Sequence, residues 1–129
     1  LQELESLKQK KSYYRVRNLE ALNTPAAEYS PVFLNNELYF TSNRGSGKIY
    51  EAEGKPFSNI YKVASRGANV DLNTLSALPA TVNTEGINDG CVTFSPDGKV
   101  MVFAKGNTGK KKGAEDVDLY ISRFRNGEW

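Results

Sequence analysis

Short apolar runs separated by turn-forming residues dominate the chain from residue 13 onward. Val32-Phe33-Leu34 and Leu38-Tyr39-Phe40-Thr41 flank Asn35-Asn36, a pair that tolerates the positive φ of tight hairpins, so the two runs predict one hairpin. Val92-Thr93-Phe94 and Lys99-Val100-Met101-Val102-Phe103 predict a second hairpin around Ser95-Pro96-Asp97-Gly98, where proline presets φ and glycine supplies the left-handed position. Each hairpin runs into a glycine-rich polar loop and then a third strand, Asn59-Ile60-Tyr61-Lys62-Val63 or Asp118-Leu119-Tyr120-Ile121-Ser122-Arg123-Phe124. A fourth strand is expected around Leu75-Ser76-Ala77-Leu78. Tyr13-Tyr14-Arg15-Val16-Arg17 alternates apolar with basic residues, as a half-buried strand does. Ahead of it, Leu1, Leu4 and Leu7 are spaced for a helix face, with acids early and lysines late, which predicts that residues 1–12 end a helix continuing from an upstream helical region.

The pattern occurs twice. Thr24 and Thr84 lie 60 residues apart, Phe33 and Phe94 61, Phe40 and Phe103 63, and Tyr61 and Tyr120 59, so landmarks keep their order while loops change length. Periods of this size mark repeat architectures. Residues 13–75 and 76–129 are therefore read as two copies of one unit, and four antiparallel strands per unit is the composition of a β-propeller blade. The expected fold is all-β: four-stranded antiparallel blades, about two of them present, behind a short N-terminal helix. Closed propellers take roughly four to eight blades, so two copies form part of a larger propeller, with completion by several copies of the chain as the alternative.

Composition narrows the function classes. With 39% hydrophobic and 25% charged residues the chain has the make-up of a folded soluble domain, and its apolar runs fall far short of the roughly 20 residues that a membrane-spanning helix needs. No signal peptide is present within it, so any secretion signal lies upstream. A net charge of +2 from 17 basic and 15 acidic residues is too balanced for a general nucleic-acid binder. The lone Cys91 has no partner for an internal disulfide, and its place in an apolar strand predicts a buried, inert thiol.

Ser95-Pro96-Asp97-Gly98-Lys99, Val102-Phe103, Asp118-Leu119-Tyr120 and Asn126-Gly127-Glu128-Trp129 resemble the WD-like propeller repeat of the TolB type. The first copy, from Glu28-Tyr29-Ser30-Pro31-Val32-Phe33 through Leu38-Tyr39-Phe40-Thr41-Ser42-Asn43-Arg44, is similar to the version found in OmpA-family envelope proteins of Bacteroidetes. It departs from the pattern in having Leu34-Asn35-Asn36-Glu37 for the Ser-Pro-Asp-Gly turn and Asn59 for the usual Asp. The resemblance covers about residues 13 to 129. It implies a periplasmic or outer-membrane-associated location, envelope proteins as partners, peptidoglycan attachment through a domain outside this segment, and service in type IX secretion or gliding.

Catalytic chemistry finds little to stand on. The sequence has no histidine, which removes Ser-His-Asp and Cys-His catalysis and the commonest transition-metal ligand. Glu115, Asp116 and Asp118 cluster in the manner of hard-cation ligands but lack the spacing of a calcium loop, and bracing of strand and turn is the favoured reading. Gly45-Ser46-Gly47-Lys48 and Gly109-Lys110-Lys111-Lys112-Gly113 lack the ending of a P-loop and read as hairpin loops. The aromatics that recur in both copies, Phe33, Tyr39, Phe40 and Tyr61 against Phe94, Phe103 and Tyr120, are assigned to the core between units. The loops differ between copies, so partner binding is placed there, at Asn43, Arg44, Lys110, Lys111 and Lys112. No catalytic residue, metal or cofactor is expected. The reading is a non-enzymatic interaction scaffold, with a gating or accessory propeller of a peptidase or glycan-processing hydrolase as the alternative.

Overall fold

The computed structural model describes residues 5–6, 15–106 and 117–129. Among these residues nine strands follow in chain order: β1 (Glu28–Leu34), β2 (Glu37–Ser42), β3 (Ile49–Tyr50), β4 (Lys55–Pro56), β5 (Asn59–Arg66), β6 (Asn69–Ala77), β7 (Asn88–Phe94), β8 (Val100–Gly106) and β9 (Val117–Arg123). They form a four-stranded sheet in the order β1-β2-β5-β6, a three-stranded sheet β7-β8-β9, and the small hairpin β3-β4. Every pairing is antiparallel. The described chain is all-β, and its two larger sheets do not close into a ring. No helical element stands among the described residues, so the expected N-terminal helix is not borne out; of residues 1–12 only Glu5 and Ser6 are described.

Turn chemistry explains where the strands stop. Asn35 and Asn36 adopt φ of 49° and 62° and close the β1-β2 hairpin. Between β7 and β8, Ser95 Oγ donates to Asp97 Oδ1 at 2.6 Å and accepts from the Val100 N–H at 3.0 Å, while Gly98 sits at φ 67°. After β5 the chain reverses at Gly67, φ 61°, so the fourth strand begins at Asn69, ahead of the apolar run that suggested it. Beyond β9, Arg125 and Glu128 exchange backbone hydrogen bonds around Asn126-Gly127, the same kind of reversal.

Both first strands carry a bulge at the same place. Register shifts between Tyr29 and Val32 in β1 and between Gly90 and Thr93 in β7, and Ser30 (φ 51°) and Cys91 (φ 56°) take the left-handed conformation there. The bulge turns the Cys91 side chain outward, so the thiol is exposed, contrary to the burial its apolar neighbours suggest. Ser30 Oγ donates to Cys91 Sγ at 3.4 Å, which sets the two bulges side by side.

Alternation along the strands gives the first sheet two apolar faces. Tyr39 and Ile60 meet Val92, Met101 and Phe103 of the second sheet, with Leu78 and Val82 between them, in the main core. Tyr39 packs edge-on against Phe94 at 4.8 Å. Leu38, Phe40 and Val63, one position out of phase, form a second cluster with Leu22. Front of one unit against back of the next is the packing rule. The aromatic assignment needs correction at two positions: Phe33 is 57% exposed and Tyr120 46%, because nothing described covers the back of β1 or the outer side of β9. Arg15, Val16 and Arg17 are irregular rather than strand, with Val16 97% exposed, since no described neighbour pairs with them; Tyr13 and Tyr14 lie outside the described residues.

Candidate functional site

Beneath the loops each unit builds the same charged cluster from unlike residues. In the first, Glu28 Oε1 accepts from the Thr24 hydroxyl at 2.6 Å and from Arg44 Nη2 at 3.1 Å, and Oε2 accepts from the Thr24 N–H at 3.2 Å. In the second, Asp89 Oδ2 accepts from the Thr84 N–H at 2.6 Å and Oδ1 lies 3.3 Å from Lys105 Nζ. The cation of each cluster also donates to a carbonyl of the unit's opening turn, Arg44 to Leu22 O at 2.9 Å and Lys105 to Val82 O at 2.7 Å. Each cation lies over the same ring pair: Arg44 over Phe40 and Tyr61 at 4.8 and 5.5 Å, Lys105 over Phe103 and Tyr120 at 5.6 and 5.5 Å. Arg44 follows its phenylalanine by four residues and Lys105 by two, so the reach differs while the charge arrives at an equivalent point.

Burial pushes both acids the same way, but their net shifts are opposite. At Glu28 desolvation pushes the pKa up, but hydrogen bonds from Thr24 and Ser42 and the Arg44 charge together carry it below the usual value. At Asp89, fully buried, desolvation outweighs the Thr84 N–H and Lys105, and the pKa is raised. Among the described residues Asp89 Oδ1 receives no hydrogen bond, and the Lys105 ammonium lies 3.3 Å away.

The expected partner-binding residues divide. Asn43 is buried and its Oδ1 accepts from the Ala27 N–H at 2.9 Å. Arg44 is spent on Glu28, Leu22 O and Ser42 Oγ. Both residues serve the interior, pinning the loop onto the opening turn. Lys110, Lys111 and Lys112 lie outside the described residues, as do Glu115 and Asp116; Asp118 is exposed on β9. Among the described residues no three acidic, cysteine or histidine side chains gather as a metal site, and no helix is long and apolar enough to cross a membrane. Replacement of Arg44 by alanine is expected to lower stability by about 2 kcal/mol, through loss of charge-assisted bonds at a site only 12% exposed. Lysine at that position should recover part of it, since lysine does the same work at 105. Urea unfolding of the two variants measures both effects.

A concavity of about 360 Å³ opens between the sheets. Its polar wall is already satisfied: Lys62 Nζ and the Tyr39 hydroxyl donate to the two oxygens of Glu37, each at 2.8 Å. Burial, followed by the bond and charge of Glu37, pushes the Tyr39 pKa up to about 12, so the phenol stays protonated. Ser46 and its glycines sit in a loop tied across the units by Lys48 to Glu85 at 3.2 Å.

Sequence reasoning missed the acid–cation clusters, although a signal existed: Glu28 and Asp89 each follow an Asn-Thr pair, and Arg44 and Lys105 are spaced by the same 61 residues as the two acids. What the arrangement does chemically is neutralise and immobilise; acid, base and hydroxyl are consumed in holding strands and turns. Compared with family models, with curated proteins and with solved structures, the chain matches none.

Proposed function

We propose that this chain is a non-enzymatic protein-interaction scaffold of the bacterial cell envelope, built on TolB-type propeller blades of which it supplies two. The observation that supports this reading is the duplicated charged cluster, in which the groups able to do acid–base chemistry are committed to holding the unit together. A rigid repeat with loops of unequal length is suited to presenting surface. The resemblance to OmpA-family envelope proteins supplies the location, the envelope partners, the attachment to peptidoglycan through a neighbouring domain, and the place in type IX secretion or gliding.

The test is to isolate the native polypeptide carrying this sequence from fractionated cells with an antibody to residues 15–106. Recovery in the envelope fraction, sedimenting with peptidoglycan and carrying envelope proteins after mild cross-linking, is the expected result. Recovery in the cytosol, or on a polypeptide that hydrolyses peptide or glycan substrates, would overturn it.

A further inference from the structure

The interface between the two sheets is a template for a second one. Each unit opens with the same turn: the Leu22 and Asn23 N–H groups bond to Leu19 O at 2.8 and 3.1 Å, and those of Val82 and Asn83 bond to Pro79 O, both at 2.9 Å. In the second unit this turn faces the first sheet and Asn83 clamps it. Asn83 Oδ1 accepts from the Ile60 N–H at 2.8 Å, and Nδ2 donates to Ile60 O and Leu78 O, both at 2.9 Å. Asn23 occupies the corresponding place in the first unit, exposed, its amide bonded among the described residues to Asn18 Oδ1 at 2.6 Å.

The other half of the template is also present and uncovered. Ala104 pairs with Leu119 as Thr41 pairs with Ile60, so the Leu119 N–H and C=O point away from β8 to the open side of β9, as those of Ile60 point to Asn83. Ile60 is 0% exposed, whereas Leu119 is 78% exposed, with Ile121 on the same face beside it. Opposite, on the back of the first sheet, a cavity of about 190 Å³ is lined by Leu19, Leu22, Asn23, Tyr29, Leu38 and Phe40, next to the exposed Phe33.

We propose that copies of this chain join head to tail, the Leu22-Asn23 corner of one copy seating on the Leu119–Ile121 face of another, with the Asn23 amide gripping the Leu119 peptide as Asn83 grips Ile60. The interface repeats, between molecules, the one already formed within the molecule. One contact differs in bulk: Gly90, whose added Cβ would come within 2.7 Å of Thr41, is replaced by Tyr29, and Thr41 by the smaller Ala104. Because the two surfaces are different, the contact is heterologous and leads to a ring or an open chain rather than a symmetric dimer. The inference rests on the duplicated geometry and stands or falls separately from the cellular role proposed above.

Sedimentation velocity of the 129-residue chain over a range of micromolar concentrations tests it, with Leu119→Asp and Asn23→Arg, both at exposed positions, checked for folding by circular dichroism. The expected result is wild-type association that grows with concentration beyond the dimer, weakened about tenfold or more in each variant alone. An equimolar mixture of the variants, each keeping one intact surface, should stop at a heterodimer. A wild type that stays monomeric, association unchanged in both variants, or a mixture that does not pair would overturn the proposal.

Discussion

Replacing Asn83 by alanine is expected to destabilise the fold by about 3 kcal/mol, since three hydrogen bonds vanish and the peptide groups they satisfied stay inside. Ile60 O keeps a main-chain donor in the Leu78 N–H, whereas β6 ends at Ala77 and the Ile60 N–H is met on this edge by the Asn83 side chain. The same replacement at Asn23, an exposed residue with one side-chain bond, should change stability by less than about 0.5 kcal/mol. Urea unfolding of the two variants under identical conditions gives the comparison. Equal effects at the two positions would refute the clamp, because sequence alone gives the two asparagines the same Asn-Thr setting.

Lys105→Met has the largest expected effect on the charged clusters. It leaves the fully buried Asp89 carboxylate without its cation, a change that costs about 3–5 kcal/mol for a buried pair. The loss depends on pH. Asp89 has a folded-state pKa above its unfolded value, so folding favours the protonated acid: its contribution is fully present below the unfolded pKa and is lost as pH rises through the folded one. Removing Lys105 takes away an influence that lowers the folded pKa, so the loss deepens and moves to higher pH. The variant should therefore weaken as pH rises and recover as pH falls, and Asp89→Asn added to it should restore most of the stability lost. A penalty that is small, or that does not deepen as pH rises, would contradict this account. Glu28 has the opposite sign, contributing above its unfolded pKa and losing that contribution as pH falls through the lowered folded value.

Much of the fold was legible where local chemistry decides. Asn35-Asn36 and Ser95 to Gly98 admit few conformations besides tight turns, and the aromatic spacing around them disclosed the duplication. Legibility failed where tertiary contacts decide. Tyr13 to Arg17 alternates like a strand, but a strand needs a pairing partner, and Arg15 to Arg17 have none among the described residues. Cys91 sits in an apolar run, yet a left-handed bulge reverses the direction of its side chain. The short β3-β4 hairpin lies in polar sequence and is marked only by Gly54 and the Tyr50–Phe57 ring contact, 5.3 Å between centroids. Arg44 in a glycine-rich loop reads as solvent-facing; a half-buried acid 16 residues earlier draws it in, which no local window reveals.

The unequal spacing of Arg44 and Lys105 from their phenylalanines bears on how such units drift apart over time. What descent has to preserve is a positive charge delivered to one point above two rings, and the backbone that delivers it is free to lengthen or shorten. In this chain a two-residue difference in that spacing accompanies the exchange of arginine for lysine, and the charge still reaches the ring pair. Kinship among units of this kind is therefore under-counted when they are aligned letter by letter, and is better measured by superposing the charges.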